Sequence, residues 1–464
     1  MSGRLIDSLA TTPTLAALFS DESVLQAMLE FETALARAEA QCGLIPAAAA
    51  DAISAAARPG NFDISALADA AFRSGTPAIP LVKMLTDQVR KTDADAARFV
   101  HWGATSQDVA DTAMSLLLKR AEPILIGDAS RLEKALAHLS ETHKDGVMLG
   151  RTLLQPAPPV TFGLKAAGWL GSVCRGKRRL QKAFRSAVVL QFGGASGTLA
   201  SLDERGIAVA QALSAELGFG ESPPTPWHTQ RDQLATLICA CGVLTGSLGK
   251  MARDISLLMQ NEVGEAAEPG GEGRGGSSTM PNKSNPTACS LTLAAAHRAP
   301  GLVASFLSAM LQEHERGVGG WQAEWPIIAA VVQSTGVAIA SMAEVAEGLS
   351  VDAQKMSRNI ENTNGVILAE RAMILLGAKL GRDVAHKLVT VAVRKSVKEG
   401  KHLAAVLADT PEVTTHLGRA ELKELETPEQ YLGSAEAFRK ALASESNRDD
   451  DRHDDDRQDN DKEQ

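Results

Sequence analysis

The sequence predicts an all-α protein, and three observations predict it. Apolar residues recur at three- and four-residue spacing through long stretches, the period of a helix that buries one stripe. Alanine, the strongest helix former, is abundant throughout, while aromatic residues make up only 4% of the chain. Alternating β-branched runs, the mark of half-buried strands, are scarce, so helix should far outweigh strand. At 464 residues the chain has room for two or three domains, and 44% hydrophobic content supplies a large core.

In chain order, Asp21 is placed to cap a helix carrying Leu25, Met28, Leu29 and Leu35, which Gly43 and Pro46 would end. The clearest periodicity runs from 243 to 263, where Leu244, Leu248, Met251, Ile255, Leu258, Met259 and Val263 alternate with Lys250, Arg253 and Asp254. One stripe packs while the rest meets polar surroundings. The uncharged stretch Trp325 to Ala343 has the length of a membrane span. It also carries Gln333, Ser334, Thr335, Gly336 and Ser341 between Glu324 and Glu344, so a bundle helix buried on all sides is expected.

These patterns divide the chain into a small N-terminal helical domain (1–110), a central long-helix bundle (111–365) and a small C-terminal helical domain (366–443). Residues 445–464 hold ten acidic and four basic residues and no apolar one, so 444–464 is expected to be a disordered acidic tail. No repeat at solenoid periods is visible.

The net charge of −9 is carried mostly by that tail, at −6, which leaves the body near −3. Neither nucleic acid nor an anionic membrane is an expected partner. The five cysteines form no CxxC pair, so neither a disulfide framework nor a structural metal site is expected. No compact apolar region follows the first residues, which argues against a signal peptide and for a cytoplasmic location.

The segment most suited to chemistry is PGGEGRGGSSTMPNKSNP at 269–286. Its glycines allow close approach to a ligand. Ser277 and Ser278 offer hydroxyls and backbone donors, and Lys283 offers a cation for a carboxylate. It is not a phosphate-binding Walker loop, because Lys283 lacks the preceding glycine and no strand leads into the glycine run. On composition alone the same segment also reads as a linker.

GSSTMPNKSNP (276–286) resembles a signature shared by fumarases, aspartases, argininosuccinate and adenylosuccinate lyases and carboxymuconate cycloisomerases. Three further stretches occur in the order those enzymes use them: HWGATSQDVADT (101–112), GRTLLQPAPPVTFG (150–163) and PWHTQRD (226–232). On these residues the chain is identified as a member of the fumarase/aspartase superfamily. Similarity to its cycloisomerase branch is carried by SGTPAIPLVK (74–83), LQFGGASGTLASL (190–202), GSLGKMARDISLLMQ (246–260) and QEHERGVGGWQAEW (312–325).

The resemblance implies a long-helix bundle with small helical domains at both ends, four subunits forming a twenty-helix core, and active sites each gathered from three subunits. It implies addition or elimination beside a carboxylate through an aci-carboxylate, whose extra charge needs preorganised donors and cations. For the cycloisomerase branch the implied reaction is lactonisation of 3-carboxy-cis,cis-muconate or a similarly anionic muconate, in the protocatechuate branch of the β-ketoadipate pathway. The partner is then a small tricarboxylate-type substrate, and no cofactor or metal is called for. By position, Ser277 matches the general acid/base, and Lys283 and Asn285 match residues that hold the substrate carboxylate. His101 is a further catalytic candidate. Arg151, Arg316, Thr105, Ser106, Gln230 and Ser278 complete the expected substrate-binding set. The alternative for Arg316 is a structural ion pair with Glu313 or Glu315.

The chain also departs from the pattern. Leu153 and Pro156 stand where the superfamily usually carries histidine, and neither can transfer a proton, which leaves His101, Ser277 or water to do so. Asn282 and Ser284 stand where cycloisomerases often show histidine and arginine. Two other readings remain: an adenylosuccinate- or argininosuccinate-type lyase, disfavoured by the absent histidine, and a non-catalytic tetrameric scaffold, disfavoured by the intact Ser277, Lys283 and Asn285.

Overall fold

The computed structural model describes residues 5–271, 275, 276, 280 and 283–447, and helices dominate it. The chain packs as two compact units: stretches up to 129, 176–249 and 291–341 build the first, and 130–175, 250–290 and 342 onward build the second.

In the first unit the helix Asp21–Gln41 is capped by Ser20, whose Oγ accepts from the Ser23 amide at 3.3 Å. Asp21, expected as the cap, instead occupies the first turn, where its charge faces the positive end of the helix dipole. The predicted stripe is buried, and with Phe31 it packs on Ile53 of Ala47–Ala56 and Leu213 of Gly206–Glu216. Each such side chain contributes about 1.5–3 kcal/mol by leaving water. Gly43 ends the helix in the left-handed conformation at φ +70°.

The longest helices are Ser106–Thr142, Phe162–Ala187, Asp232–Leu258, Thr287–Ala309 and Gly320–Gly348. Of the periodic segment, Leu244, Leu248, Met251, Ile255 and Leu258 are buried as expected. The helix stops at Leu258 rather than continuing to Val263, and the chain turns at Gly264 with φ +59°. Small residues bring the long helices of the first unit together. A side chain at Gly249 would lie 2.5 Å from the Ala296 Cβ. The Thr245 and Thr335 hydroxyls meet at 3.0 Å.

Gly320–Gly348 contains the uncharged stretch, and 61% of its most apolar window is buried inside the protein. Val331, Val332, Ile339, Met342 and Ala343 are buried there, as are the hydroxyls of Ser334 and Thr335, which donate to the carbonyls of Ala330 and Val331. This is the pattern of a core helix.

The second unit holds a hairpin that periodicity did not reveal, pairing Val147–Thr152 with Gln155–Thr161. Pro156, Pro158 and Pro159 hide it, because proline is tolerated only where a strand has an unpaired edge. The two-residue turn is Leu153–Leu154, at φ +50° and +64°, a conformation usually reserved for Asn-Gly. Each leucine there costs about 1–2 kcal/mol in strain. The helices Ala369–Leu380, Arg382–Glu399 and Leu403–Ala408 share a core of Leu376, Val389, Leu403 and Leu407.

The last helix, Ala435–Asn447, takes in residues 444–447, which were expected in the disordered tail. Glu445 is the reason, because its carboxylate accepts from Arg175 at 2.9 Å. The remainder of the expected tail, 448–464, lies outside the described residues.

Candidate active site

The polar centre of the first unit is built on the start of Ser106–Thr142. Asp108, in the first turn, reaches back to the Thr105 amide at 3.0 Å, so that Thr105 acts as the N-cap. The same buried carboxylate accepts from Gln191 Nε2 at 3.1 Å, the Gly193 amide at 3.0 Å, the Gly194 amide at 2.9 Å and His228 Nε2 at 2.8 Å. These donors replace the water that its charge has lost. Asp108 thereby fastens the 190–194 and 226–231 loops to one helix terminus. Neither Asp108 nor Gln191 nor His228 was singled out from the sequence, although each lies in a stretch that carried the resemblance.

A second buried centre holds the 226–231 loop from the other side. Arg231 binds Asp111 through two bonds of 2.7 and 3.1 Å, and Glu324 at 2.6 and 3.0 Å. Trp321 Nε1 and Gln107 Nε2 add donors to Asp111 at 3.0 and 3.1 Å, and Gln312 Nε2 adds one to Glu324 at 2.7 Å. Burial pushes the Glu324 carboxyl up against the pull of Arg231. Gln230, one residue before Arg231, is exposed. Thr229 Oγ1 donates to the His314 carbonyl at 2.9 Å, which draws the 311–319 segment to the same place.

That contact positions Arg316. Its guanidinium donates to Thr105 Oγ1 at 2.6 Å, Ser106 Oγ at 3.1 Å and Gln107 Oε1 at 3.3 Å. The ion pair with Glu313 or Glu315 does not form. Glu313 instead accepts from the Val318 amide at 2.8 Å, inside its own loop. Among the described residues Arg316 meets only neutral oxygens, so its charge is uncompensated and two of its five N–H donors remain. It sits at the helix terminus where the backbone dipole already favours an anion.

His101 lies in the same 101–107 segment, in the left-handed conformation at φ +60°. Its Nδ1 is 2.7 Å from Glu32 Oε1, and its side chain is 17% exposed while that of Glu32 is 0% exposed. Burial by itself lowers the imidazole pKa, but the charge and hydrogen bond of Glu32, with the charge of Asp108, outweigh it and leave the pKa raised. Thus the first unit brings together His101, Thr105, Ser106 and Arg316 of the expected set, with Gln230 on the adjoining loop.

The second unit holds the rest. Arg151 spends both terminal nitrogens on Glu265, at 2.9 and 2.7 Å, and Asn359 Nδ2 adds a third bond to that carboxylate at 2.7 Å. Its charge is therefore matched by a buried partner, unlike that of Arg316. Lys165, not anticipated from the sequence, is held below its ordinary pKa first by burial, with Lys250 and Arg151 adding to the effect and Asp254 opposing it. Lys283 is exposed, and Asn285 is half-buried with its amide on the Gly275 carbonyl at 2.8 Å. Glu268 caps the helix that follows, accepting from the Ala288 and Cys289 amides at 3.0 and 2.7 Å. Ser277 and Ser278 lie outside the described residues.

The helical fold and the comparisons with known proteins set the class, a lyase of the fumarase/aspartase type. The chain belongs to that superfamily: a family model described as "Lyase" matches residues 8–301, and one described as "Adenylosuccinate lyase C-terminus" matches 365–442. Among its relatives, the 3-carboxy-cis,cis-muconate cycloisomerase of Bradyrhizobium diazoefficiens is 47% identical over 445 residues, 96% of this chain and 98% of that protein. The protein of the same name from Pseudomonas aeruginosa is 48% identical over 443 residues, 95% and 96% of the two chains. The crystal structure of the 3-carboxy-cis,cis-muconate lactonizing enzyme from Pseudomonas putida superposes with a TM-score of 0.90 at 44% identity, covering 96% of this chain and 99% of that one.

Proposed function

We propose that this chain lactonises 3-carboxy-cis,cis-muconate, or a muconate with a comparably anionic substituent, in the breakdown of aromatic compounds. The observation that carries the reading is Arg316, which among the described residues meets only neutral oxygens, at the helix N-terminus that follows His101. Such a site favours a multiply charged anion over a neutral ligand. The names and coverage of the relatives point to the same substrate.

In the reaction one substrate carboxylate oxygen forms a C–O bond to a carbon of the diene. The π pair of that double bond moves toward the neighbouring carboxylate, and the carbon beside it takes up a proton. The trianion becomes a dianionic lactone, and one proton is consumed. Arg316, with Thr105 and Ser106 behind it, holds a carboxylate as its charge grows. Lys283 and Asn285 hold another from the glycine-rich loop, Gln230 and Ser278 complete the binding set, and Arg151, with both terminal nitrogens on Glu265, is left out of it. Ser277 and His101 share the proton transfer, with Leu153 and Pro156 supplying none.

The working form is a cytoplasmic homotetramer whose sites draw segments from three subunits. Following the loss of muconate ultraviolet absorbance tests the reading, with 3-carboxymuconate, cis,cis-muconate and 3-sulfomuconate compared and adenylosuccinate as control. Turnover of adenylosuccinate with no change in any muconate would refute it.

A further inference from the structure

We infer that Glu32 is a positioning residue for His101: it holds Nδ1 protonated from behind, so that Nε2 is the nitrogen presented to substrate. The inference rests on the proposed role of His101 in proton transfer. Glu32 comes from the middle of Asp21–Gln41 and carries no motif, yet its side chain is 0% exposed and its Oε1 lies 2.7 Å from Nδ1. Its other oxygen has no hydrogen-bond partner among the described residues. Among the described residues the imidazole is thus the one hydrogen-bond partner of this buried carboxylate. An ionised carboxylate only accepts, so Nδ1 must be the donor, and this sets the orientation of the ring. The left-handed backbone of His101, at φ +60°, shows that the fold bears strain to place the ring there.

The groups facing this pair are few. Asp108, on the helix packed beside it, adds a second negative charge felt by His101, and that carboxylate is itself occupied by His228 and backbone amides. Glu39, further along the same helix as Glu32, is also buried, and neither of its oxygens has a partner among the described residues. Burial first, then the charge of Glu32, pushes the Glu39 carboxyl up to about 9. Glu39 is therefore neutral through the physiological range. Of the two buried carboxyls on Asp21–Gln41, Glu32 is the one that contacts His101.

The test is Glu32→Gln in the full-length enzyme, which keeps size and acceptor but removes charge. If His101 delivers its proton as imidazolium, activity is lost as pH rises through its pKa. Removing the opposite charge should move that alkaline limb of kcat/KM about 1–3 pH units lower. The fall in kcat should be on the order of tenfold or more with KM little changed. Glu32→Asp should restore part of the shift. Glu39→Gln, which exchanges one neutral group for another, should leave the limb in place. In His101→Asn, adding Glu32→Gln should cost nothing further.

The His101 resonance in 13C-histidine-labelled protein, assigned with His101→Asn, reads the same shift without any substrate. A protein that turns over no muconate would therefore remove the proposed function while leaving this measurement valid. An unshifted His101 titration in Glu32→Gln, or additive losses in the double variant, would overturn the inference.

Discussion

Replacing Arg316 with methionine removes a cation but keeps most of the aliphatic stem. In the native protein the guanidinium donates to Thr105, Ser106 and Gln107 and has no carboxylate partner among the described residues, leaving two N–H donors and the whole charge for a ligand. A hydrogen bond to a charged group is worth about 1.5–3 kcal/mol, so loss of the substrate contact should raise KM roughly 10- to 150-fold. Stability should fall by no more than about 1–3 kcal/mol, because the Thr105 and Ser106 hydroxyls are half-buried and can turn to water, while the buried Gln107 Oε1 loses its Arg316 donor. Arg316→Lys should recover little of the loss, since an ammonium cannot span three oxygens with a planar fork. Steady-state kinetics on 3-carboxymuconate and thermal melts of the same preparations measure both quantities. A large fall in melting temperature with an unchanged KM would mean that Arg316 is a structural strut, and the anion-site argument would fail.

Ser277→Ala should depress kcat with binding nearly intact, whereas Lys283→Met should also raise KM; undiminished turnover in Ser277→Ala would move the chemistry to His101. Arg231→Met should destabilise the protein by about 3–5 kcal/mol in denaturant titrations, because it leaves Asp111 and Glu324 buried and unpaired, and a smaller loss would show that water reaches them. Cys174, Cys241 and Cys289 are buried, and burial holds the Cys241 thiol up at about 12. A thiol reagent at pH 8 should leave these three unlabelled until denaturant is added, and rapid native labelling of all five would contradict the packing. Deleting residues 448–464 should leave activity and melting temperature nearly unchanged, a result checked by assay and melt.

Much of the helical architecture was readable because its cause is local. The stripe of Leu244, Leu248, Met251, Ile255 and Leu258 repeats with the helical period, and all five are buried. The hairpin at 147–161 was not readable, since its prolines and its Leu153–Leu154 turn contradict the composition that usually marks strands and tight turns. Within the site, Asp108 and His228 lay inside conspicuous stretches, but their pairing joins residues 120 positions apart. Glu32 had one faint signal, a carboxylate that, like Glu39, falls among the buried apolar residues of its helix.

What the sequence determined by itself was the class: helical period, signature order and the residue types that an anionic substrate would require. What only the tertiary structure decided was which charges are free to act. Arg151 and Arg316 were equivalent candidates in the sequence. The fold sets the buried Glu265, 114 positions away, against Arg151, and among the described residues sets only hydroxyl and amide oxygens against Arg316. Charge compensation depends on distance through space and on the water excluded around it, and neither is encoded in the spacing of residues along the chain.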